Sequence, residues 1–241
     1  MNQEELKDIE LRRYAKHIML PEIGKEGQLR MKNSSVLVVG AGGLGAPVLL
    51  YLSAAGVGKI GIADNDLVGE SNLQRQILYG GNDLGKQKAI VAKQKLGTQF
   101  PLVKYQVHNI FLSEENARFI CKEYDLIVDA TDNYNARYTL NATCLEQNKP
   151  LVFGSIYKFE GQVSVFNYRN GPNLTDFFPT LPRESNVPNP GATGILGVLP
   201  GIISLYQANE TIKVILNIGE ILSGKMLYVN ILTNKHQLIM L

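Results

Sequence analysis

Val36–Gly45, which reads VLVVGAGGLG, joins a short apolar run to a string of glycines, and a helical pattern follows from Ala46 to Gly56. An order of strand, glycine turn and helix is typical of nucleotide-binding units, because backbone N–H groups and the positive end of the helix can hold a phosphate. The spacing G-x-G-x-x-G is formed by Gly40, Gly42 and Gly45. These glycines are predicted to lie against a nucleotide; the alternative is that they only let the strand and helix pack closely.

An acidic residue follows the next predicted strand, which covers Lys59 to Ala63. Asp64 comes about 20 residues after the glycines, where a carboxylate can hydrogen-bond the hydroxyls of a ribose. Asp66, two residues later, is included in the same predicted site. The glycines and Asp64 together favour nucleotide binding over a purely structural role.

The rest of the chain continues the alternation of short apolar runs and helical patterns. Further strands are predicted at residues 103–107, 126–128, 151–153 and 162–166, and helices at residues 86–99, 114–123, 137–147 and 197–217. Two alternating runs, at residues 226–232 and 237–241, predict an antiparallel hairpin. Because strands that alternate with helices form parallel sheets covered on both faces, we predict an α/β fold with a Rossmann-like, doubly wound, mostly parallel sheet and C-terminal antiparallel strands.

Residues 1–241 are predicted to form a single domain, since this length lies near the upper end of what one hydrophobic core supports. Residues 1–31 carry a helical pattern broken by Pro21 and Gly24, which predicts an N-terminal helical arm. Residues 167–190 are polar and rich in proline, which predicts a mobile loop.

The composition excludes several classes of protein. Hydrophobic residues make up 45% and charged residues 19% of the chain, which is typical of a globular protein. The net charge of +2 is too slight to indicate a nucleic-acid or membrane partner. The start of the chain lacks the layout of a signal peptide, no apolar run reaches the ~18 residues of a membrane span, and two cysteines form no disulfide framework. We therefore expect a cytoplasmic protein.

A cluster of polar side chains lies in the segment Ser71–Gln76, which reads SNLQRQ. Arg and amide side chains are planar and carry several donors, and Arg can hold phosphate oxygens at two points. The predicted nucleotide site therefore includes Ser71, Asn72, Leu73, Gln74 and Arg75. Lys88 can add a point charge to the same phosphates, whereas Lys86 and Lys93 are interpreted as solvated surface charges.

A second acidic segment, Asp129–Asn133, follows the predicted strand at residues 126–128. It would lie at the carboxyl end of a parallel sheet, where doubly wound folds bind their ligands. Magnesium takes oxygen ligands and commonly uses one or two carboxylates beside substrate phosphates, so Asp132 is a candidate magnesium ligand and Asn133 a neighbouring site residue. The alternative is that Asp132 or Asn133 caps the following helix; both roles can hold together.

These motifs resemble those of the ThiF/MoeB/HesA adenylyltransferases, prokaryotic relatives of the ubiquitin-activating E1 enzymes. The similarity spans nearly the whole chain and includes residues 13–18, 160–163 and 207–213. The resemblance implies that ATP and Mg²⁺ bind, and that the C-terminal Gly-Gly carboxylate of a ubiquitin-like sulfur carrier, ThiS- or MoaD-like, attacks the α-phosphate. The products would be an acyl-adenylate and pyrophosphate, for thiamine or molybdenum cofactor biosynthesis.

The resemblance also implies roles for individual residues. Gly43 and Asp64 would hold the nucleotide, Asn72, Arg75 and Lys88 would contact phosphates, and Asp132 would place magnesium. A carboxylate is already ionised at neutral pH, so the reaction needs no general base, and the three histidines, His17, His108 and His236, are interpreted as structural or surface residues.

Three departures from the family pattern bear on function. Lys16 stands where the family commonly has an arginine in an arm that reaches the neighbouring subunit's site; the resemblance thus implies a homodimer, with a weaker phosphate contact from Lys16. Asn173 and Asp176 stand where many members have a zinc-binding cysteine pair, so zinc is expected to be absent. Pro190 stands at the place of a cysteine used for covalent transfer.

Cys121 and Cys144 are interpreted as small apolar fillers of the core rather than nucleophiles. The chain would then stop at adenylation. Two other functions stay open: an NAD-dependent Rossmann oxidoreductase, and a nucleotide-binding scaffold without turnover, which Lys16, Pro190 and the missing cysteines suggest.

Overall fold

The computed structural model of the chain describes residues 5–181 and 194–241. Within these residues the helices are α1 (Asp8–Arg13), α2 (Ala15–Ile18), α3 (Gly24–Asn33), α4 (Gly45–Ala55), α5 (Lys88–Gln99), α6 (Glu114–Cys121), α7 (Tyr134–Glu146), α8 (Leu174–Phe177) and α9 (Val198–Leu216). The strands are β1 (Ser35–Val39), β2 (Lys59–Ala63), β3 (Lys104–His108), β4 (Leu126–Asp129), β5 (Leu151–Tyr157), β6 (Glu160–Phe166), β7 (Lys225–Asn230) and β8 (Lys235–Met240).

The strands form one eight-stranded sheet in the order β3-β2-β1-β4-β5-β6-β7-β8. The first five strands pair in parallel and the last three are antiparallel. This confirms the predicted fold class, including the C-terminal hairpin. The chain runs outward from β1 to β3 on one side and returns to β4 on the other, so the strand order reverses at β1, and the carboxyl ends of β1 and β4 flank the crevice that such a reversal creates.

Two hydrophobic clusters lie on opposite faces of the sheet. In β1, Val36 and Val38 belong to the cluster that contains α4, α5 and α9, while Leu37 and Val39 belong to the cluster that contains α6 and α7. Successive side chains of a strand point to opposite faces, so a strand buried on both faces needs an unbroken apolar run. This explains the sequence VLVV before the glycines.

The N-terminal arm contains three short helices: Tyr14 separates α1 from α2, and the chain breaks between α2 and α3 around Pro21, as predicted. One contact with the body is made by Tyr14, whose ring lies 2.5 Å from where a Cβ on Gly56 would be. Gln28 donates from Nε2 to the carbonyl of Ala55 at 2.9 Å, and His17 Nδ1 lies 3.2 Å from Gln28 Oε1. The arm therefore packs at the C-terminal end of α4.

The prediction that residues 167–190 form a loop is wrong in its first part. A 3-10 turn covers Tyr168–Asn170, and α8 follows. Asn173 caps α8 by accepting a hydrogen bond from the Thr175 backbone N–H at 2.8 Å, and Leu174 is buried; a side-chain cap and one buried anchor suffice for a single turn of helix. Residues 182–190, including Pro190, lie outside the described residues.

Helix α5 begins at Lys88, two residues later than predicted. The Lys86 carbonyl accepts a hydrogen bond from the Val68 backbone N–H at 2.9 Å, and Gln87 forms an antiparallel bridge with Leu67. These contacts hold the backbone extended until Lys88. Within residues 5–181 and 194–241, none of the helices has both the length and the apolar character needed to cross a bilayer.

Candidate functional site

The glycine loop between β1 and α4 is packed too closely for other residues at two positions. Gly40 has φ +94°, which side chains rarely adopt, and a Cβ there would lie 2.5 Å from the carbonyl oxygen of Ala130. A Cβ on Gly45 would overlap the carbonyl oxygen of Gly40. The loop therefore brings bare backbone to the N-terminal end of α4, where N–H groups are free to bind an anion.

Asp64 joins the end of β2 to this glycine loop. Its Oδ2 accepts a hydrogen bond from the Ala41 N–H at 2.7 Å, and its Oδ1 accepts one from the Asp66 N–H at 2.8 Å. Burial raises the pKa of the Asp64 carboxyl, and the two backbone donors partly oppose that effect. Each carboxylate oxygen has a second lone pair, so Asp64 can still accept hydrogen bonds from a ribose at its predicted position.

Residues 75–79 lie directly against the glycine loop. Arg75 Cδ is 3.6 Å from where a Cβ on Gly43 would be, and Gln76 Nε2 is 3.3 Å from the equivalent point on Gly42. Arg75 donates from Nη1 to the Ser71 carbonyl at 3.0 Å, which leaves most of its five N–H donors for another partner. The structure thus brings Arg75 to the glycines, as the sequence predicted.

The other predicted members of this segment shape the turn. Asn72 Oδ1 accepts a hydrogen bond from the Gly69 N–H at 3.1 Å, and Leu73 packs against the core on the α4 side of the sheet. The Gln74 carbonyl lies so close to Gly197 that a Cβ there would overlap it. The Nδ2 group of Asn72 takes no part in the hydrogen bond with Gly69, whereas Leu73 and Gln74 support the segment by packing.

Lys88 is a buried cation rather than a surface charge. It is 5% exposed, and its Nζ lies 2.8 Å from Asp66 Oδ2. Tyr79 donates from its hydroxyl to the Ala41 carbonyl at 2.8 Å and also lies 3.3 Å from the Lys88 carbonyl, which ties the start of α5 to the glycine loop. Lys88 lowers the pKa of Asp64 by its charge, an effect smaller than that of burial. Asp66 is thus the ionic partner of Lys88 at this site.

The segment after β4 meets the same loop. The Ala130 N–H donates to the Val39 carbonyl at 2.9 Å. Asn133 caps α7 by accepting a hydrogen bond from the Ala136 N–H at 2.8 Å. The capping alternative therefore applies to Asn133, and the exposed Asp132 carboxylate is not committed to the cap.

Lys16 is not near these residues within its own chain. It is exposed on α2, in the arm that packs at the C-terminal end of α4, whereas the glycine loop lies at the N-terminal end. A helix of 11 residues is about 16 Å long at 1.5 Å per residue. Lys16 and the glycine loop therefore lie toward opposite ends of α4.

The cysteines, His108 and the pair Asn173 and Asp176 have packing or capping contacts within the chain. Cys121 and Cys144 are fully buried, and burial raises the pKa of the Cys121 thiol to about 11 and that of Cys144 as well. His108 Nε2 lies 2.7 Å from the Tyr124 hydroxyl. Asn173 donates from Nδ2 to Asp176 Oδ2 at 2.8 Å, so this pair stabilises the cap of α8.

Sequence reasoning missed three side chains that hold the site together: Tyr79, Arg137 and Gln207. Gln207, on α9, donates from Nε2 to the Asp129 carbonyl at 2.7 Å. Nothing in a single helical pattern indicates such a contact across 78 residues. For Arg137 a signal existed, since a cation in the first turn of a helix is unfavourable.

The sequence matches the ThiF family over residues 14–240. It is 50% identical over 225 residues to a probable molybdopterin-synthase adenylyltransferase of Porphyra purpurea, covering 93% of this chain and 59% of the relative. It is 47% identical over 223 residues to a sulfur carrier protein adenylyltransferase of Thermus thermophilus, covering 90% of this chain and 82% of the relative. The chain thus spans less than two thirds of the first relative's length.

Two solved structures have a similar fold. PaaA superposes with a TM-score of 0.84 at 20% identity, covering all of this chain and 76% of PaaA. E. coli MccB, in a structure with ATP, superposes with a TM-score of 0.79 at 20% identity, covering 95% of this chain and 71% of MccB.

Proposed function

Because the chain belongs to the ThiF family, we propose that it is an adenylyltransferase that uses ATP to activate the C-terminal Gly-Gly carboxylate of a ubiquitin-like sulfur-carrier protein, with release of pyrophosphate. The curated relatives named above support both the reaction and the class of partner. The carrier would be ThiS-like or MoaD-like, and the product would serve thiamine or molybdenum cofactor biosynthesis.

One observation carries the proposal: the loops after β1, β2 and β4 touch one another, with Arg75 and Lys88 beside them. Asp64 hydrogen-bonds the glycine loop, the Ala130 carbonyl packs on Gly40, and Arg75 lies over Gly43. A triphosphate needs backbone donors and cations around several oxygens at once. A dehydrogenase would use the glycines and Asp64 but gives no role to Arg75, which uses one protein acceptor and keeps its other donors available.

The reaction requires positioning and charge neutralisation. Asp64 would accept hydrogen bonds from the ribose, and the glycine loop would hold a phosphate at the N-terminal end of α4. Arg75 and Lys88 would neutralise charge that shifts toward the leaving pyrophosphate. The attacking carboxylate is ionised at neutral pH, so the chain only has to hold it in line with the α-phosphate.

The Asp132 carboxylate fits a magnesium ligand. It is exposed at the carboxyl end of β4, free of the helix cap, and it offers the oxygen donors that Mg²⁺ prefers. When bound there, Mg²⁺ would supply further neutralisation of phosphate charge. The position of Lys16 on the far side of α4 suits a homodimer in which each arm serves the neighbouring site, as the resemblance implied.

A pyrophosphate-exchange assay tests the function. Purified protein is mixed with ATP, Mg²⁺, labelled pyrophosphate and either a ThiS-like or a MoaD-like carrier, and carriers that lack the Gly-Gly end serve as negative controls. Arg75→Ala is expected to slow exchange by ~10²-fold or more, the scale of removing one charge-stabilising donor. Lys93→Ala, which removes an exposed cation on α5, is the matched control and should leave the rate unchanged.

The outcomes separate the alternatives. Exchange that needs a Gly-Gly carrier supports adenylation, and the preferred carrier identifies the pathway. ATP binding without exchange, with either carrier, would favour the scaffold without turnover. Tight NAD(H) binding in place of ATP would favour the oxidoreductase. An Arg75→Ala variant as fast as the wild type would remove Arg75 from the site.

A further inference from the structure

Arg137 is a buried cation at a place that a helix disfavours. It lies in the first turn of α7, which begins at Tyr134, and it is 7% exposed. The N-terminal end of a helix carries a partial positive charge, so a cation there is unfavourable, and removing its charge from water adds a desolvation cost. The buried charge of Arg137 is therefore stable at this place only with specific hydrogen-bond partners.

Four acceptors surround the Arg137 guanidinium. Nε donates to Asp129 Oδ2 at 3.1 Å, and Nη2 donates to the carbonyls of Thr131 at 2.9 Å and Gly154 at 3.2 Å. Nη1 lies 3.4 Å from Ser155 Oγ. Only the planar fork of an arginine can bridge acceptors spread in this way. Arg137 thus joins the turn after β4 to the strand β5.

Asp129, which accepts the hydrogen bond from Arg137 Nε, also binds Thr131. It is fully buried at the end of β4, and its Oδ1 accepts hydrogen bonds from the Thr131 N–H at 3.0 Å and from the Thr131 hydroxyl at 2.6 Å. The N–H of Thr131 is therefore bound to Asp129 and its carbonyl to Arg137. Hydrogen bonds thus fix the peptide groups on both sides of Thr131, the residue that precedes Asp132.

The same turn is coupled to the glycine loop. Ala130 lies between Asp129 and Thr131, and its carbonyl packs against Gly40 with no room for a Cβ. From the opposite face of the sheet, Gln207 donates to the Asp129 carbonyl at 2.7 Å. A shift of this turn would press on the glycine loop and redirect Asp132 at the same time.

We propose that Arg137 is a positioning residue for the adenylation reaction, which sets the direction of the Asp132 carboxylate relative to the glycine loop by holding Asp129 and the Thr131 carbonyl. The proposal rests on the proposed function, in which Asp132 takes part as a magnesium ligand. Arg137 acts through the turn, since its donors are engaged by protein acceptors rather than directed at a phosphate.

The test uses Arg137→Met, which keeps volume but removes the donors, and Arg137→Lys, which keeps the charge without the fork. Arg118→Met is the matched control, because Arg118 is an exposed arginine paired with Glu146 of α7 at 3.0 Å. One readout is Mn²⁺ binding to the protein loaded with a non-hydrolysable ATP analogue, followed by electron paramagnetic resonance. The other is pyrophosphate exchange over a range of Mg²⁺ concentrations.

We expect Arg137→Met to weaken Mn²⁺ binding about tenfold and to slow exchange by roughly 10–10²-fold, the scale of a misplacement of about 1 Å. The Mg²⁺ concentration for half-maximal exchange should rise in parallel, Arg137→Lys should recover part of both losses, and Arg118→Met should match the wild type. Adding Arg137→Met to Asp132→Asn should weaken Mn²⁺ binding no further than Asp132→Asn alone, because both changes remove the same contribution to metal binding.

A lower melting temperature with unchanged Mn²⁺ affinity, or losses of Mn²⁺ affinity that add in the double variant, would overturn the proposal in favour of a purely structural ion pair. Should Arg137→Met fail to fold, Arg137→Lys carries the same comparison. If the wild type shows no exchange with any carrier, the proposed function fails, while the Mn²⁺ measurement still decides the role of Arg137.

Discussion

At the amino edge of the parallel strands, polar side chains find partners within the chain, whereas at the carboxyl edge several keep donors or acceptors free. Just before β4, Asp125 Oδ2 accepts hydrogen bonds from both the backbone N–H and the hydroxyl of Ser35 at 2.7 Å, and just before β1 the Ser34 hydroxyl donates to the Met31 carbonyl. After the strands, Arg75 uses a single protein acceptor and Asp132 is exposed. Arg75 and Asp132 therefore keep hydrogen-bonding groups available at the carboxyl edge.

The largest difference in nucleotide binding and exchange is expected between two glycines with positive φ, one in the glycine loop and one after α9. Gly40→Ala would drive a Cβ against the Ala130 carbonyl, so we expect nucleotide binding to fail and exchange to fall by more than roughly 10²-fold. Gly219→Ala, at φ +64° after α9, meets only the far end of Lys213 at 3.9 Å. It should cost about 1 kcal/mol of unfolding free energy through backbone strain and leave exchange unchanged. Isothermal titration with ATP measures nucleotide binding, and thermal melts measure stability. Equal losses of ATP affinity in the two variants would contradict the comparison.

A smaller effect is expected at the amino edge itself. Asp125→Ala removes two hydrogen bonds to Ser35, so it should lower the free energy of unfolding by about 1 kcal/mol and the melting temperature by roughly 2–4 °C. Because Asp125 lies at the opposite end of β4 from Asp132, the exchange rate of the folded protein should stay at the wild-type value. A loss of exchange at unchanged stability would show that the two edges are coupled.

The smallest expected effect is a fall in nucleotide affinity at acid pH. Burial raises the pKa of Asp64 above its ordinary value, so protonation begins at a higher pH than for a free carboxyl. Nucleotide affinity should therefore fall as the pH is lowered from 7 to 5, by less than about tenfold. A folded pKa above the unfolded one means that the folded state binds the proton more readily, so this group does not promote acid unfolding.

Asp64→Asn provides the control for the acid effect. It should bind nucleotide more weakly at neutral pH, because one acceptor oxygen becomes a donor, and its affinity should fall less steeply between pH 7 and pH 5 than that of the wild type. Titration calorimetry at each pH, with circular dichroism to follow folding, makes the comparison. An equally steep decline in the variant would assign the acid effect to another group.

Prediction from the sequence worked best where local pattern and burial agree. The apolar run of β1, the glycines and Asp64 are close in sequence, and the periodicity of α4 and α9 placed both helices within one residue of their observed ends. It failed at residues 168–177, where a cap at Asn173 and a buried Leu174 form a helix too short to have a period. It also could not distinguish Asp132 from Asn133 as the cap, since both are capping residue types.

The order of strands and helices, the glycine turn and the polar segments after the strands followed from the sequence itself, because each depends on neighbours within a few residues. The partners of the buried charges did not: Lys88 finds Asp66 22 residues away, Arg137 bridges to Gly154, and Gln207 reaches Asp129. Such pairings depend on which strands become adjacent and which helix covers them. Only the packed sheet decides that, since a buried polar group takes whichever partner the fold brings within hydrogen-bonding distance.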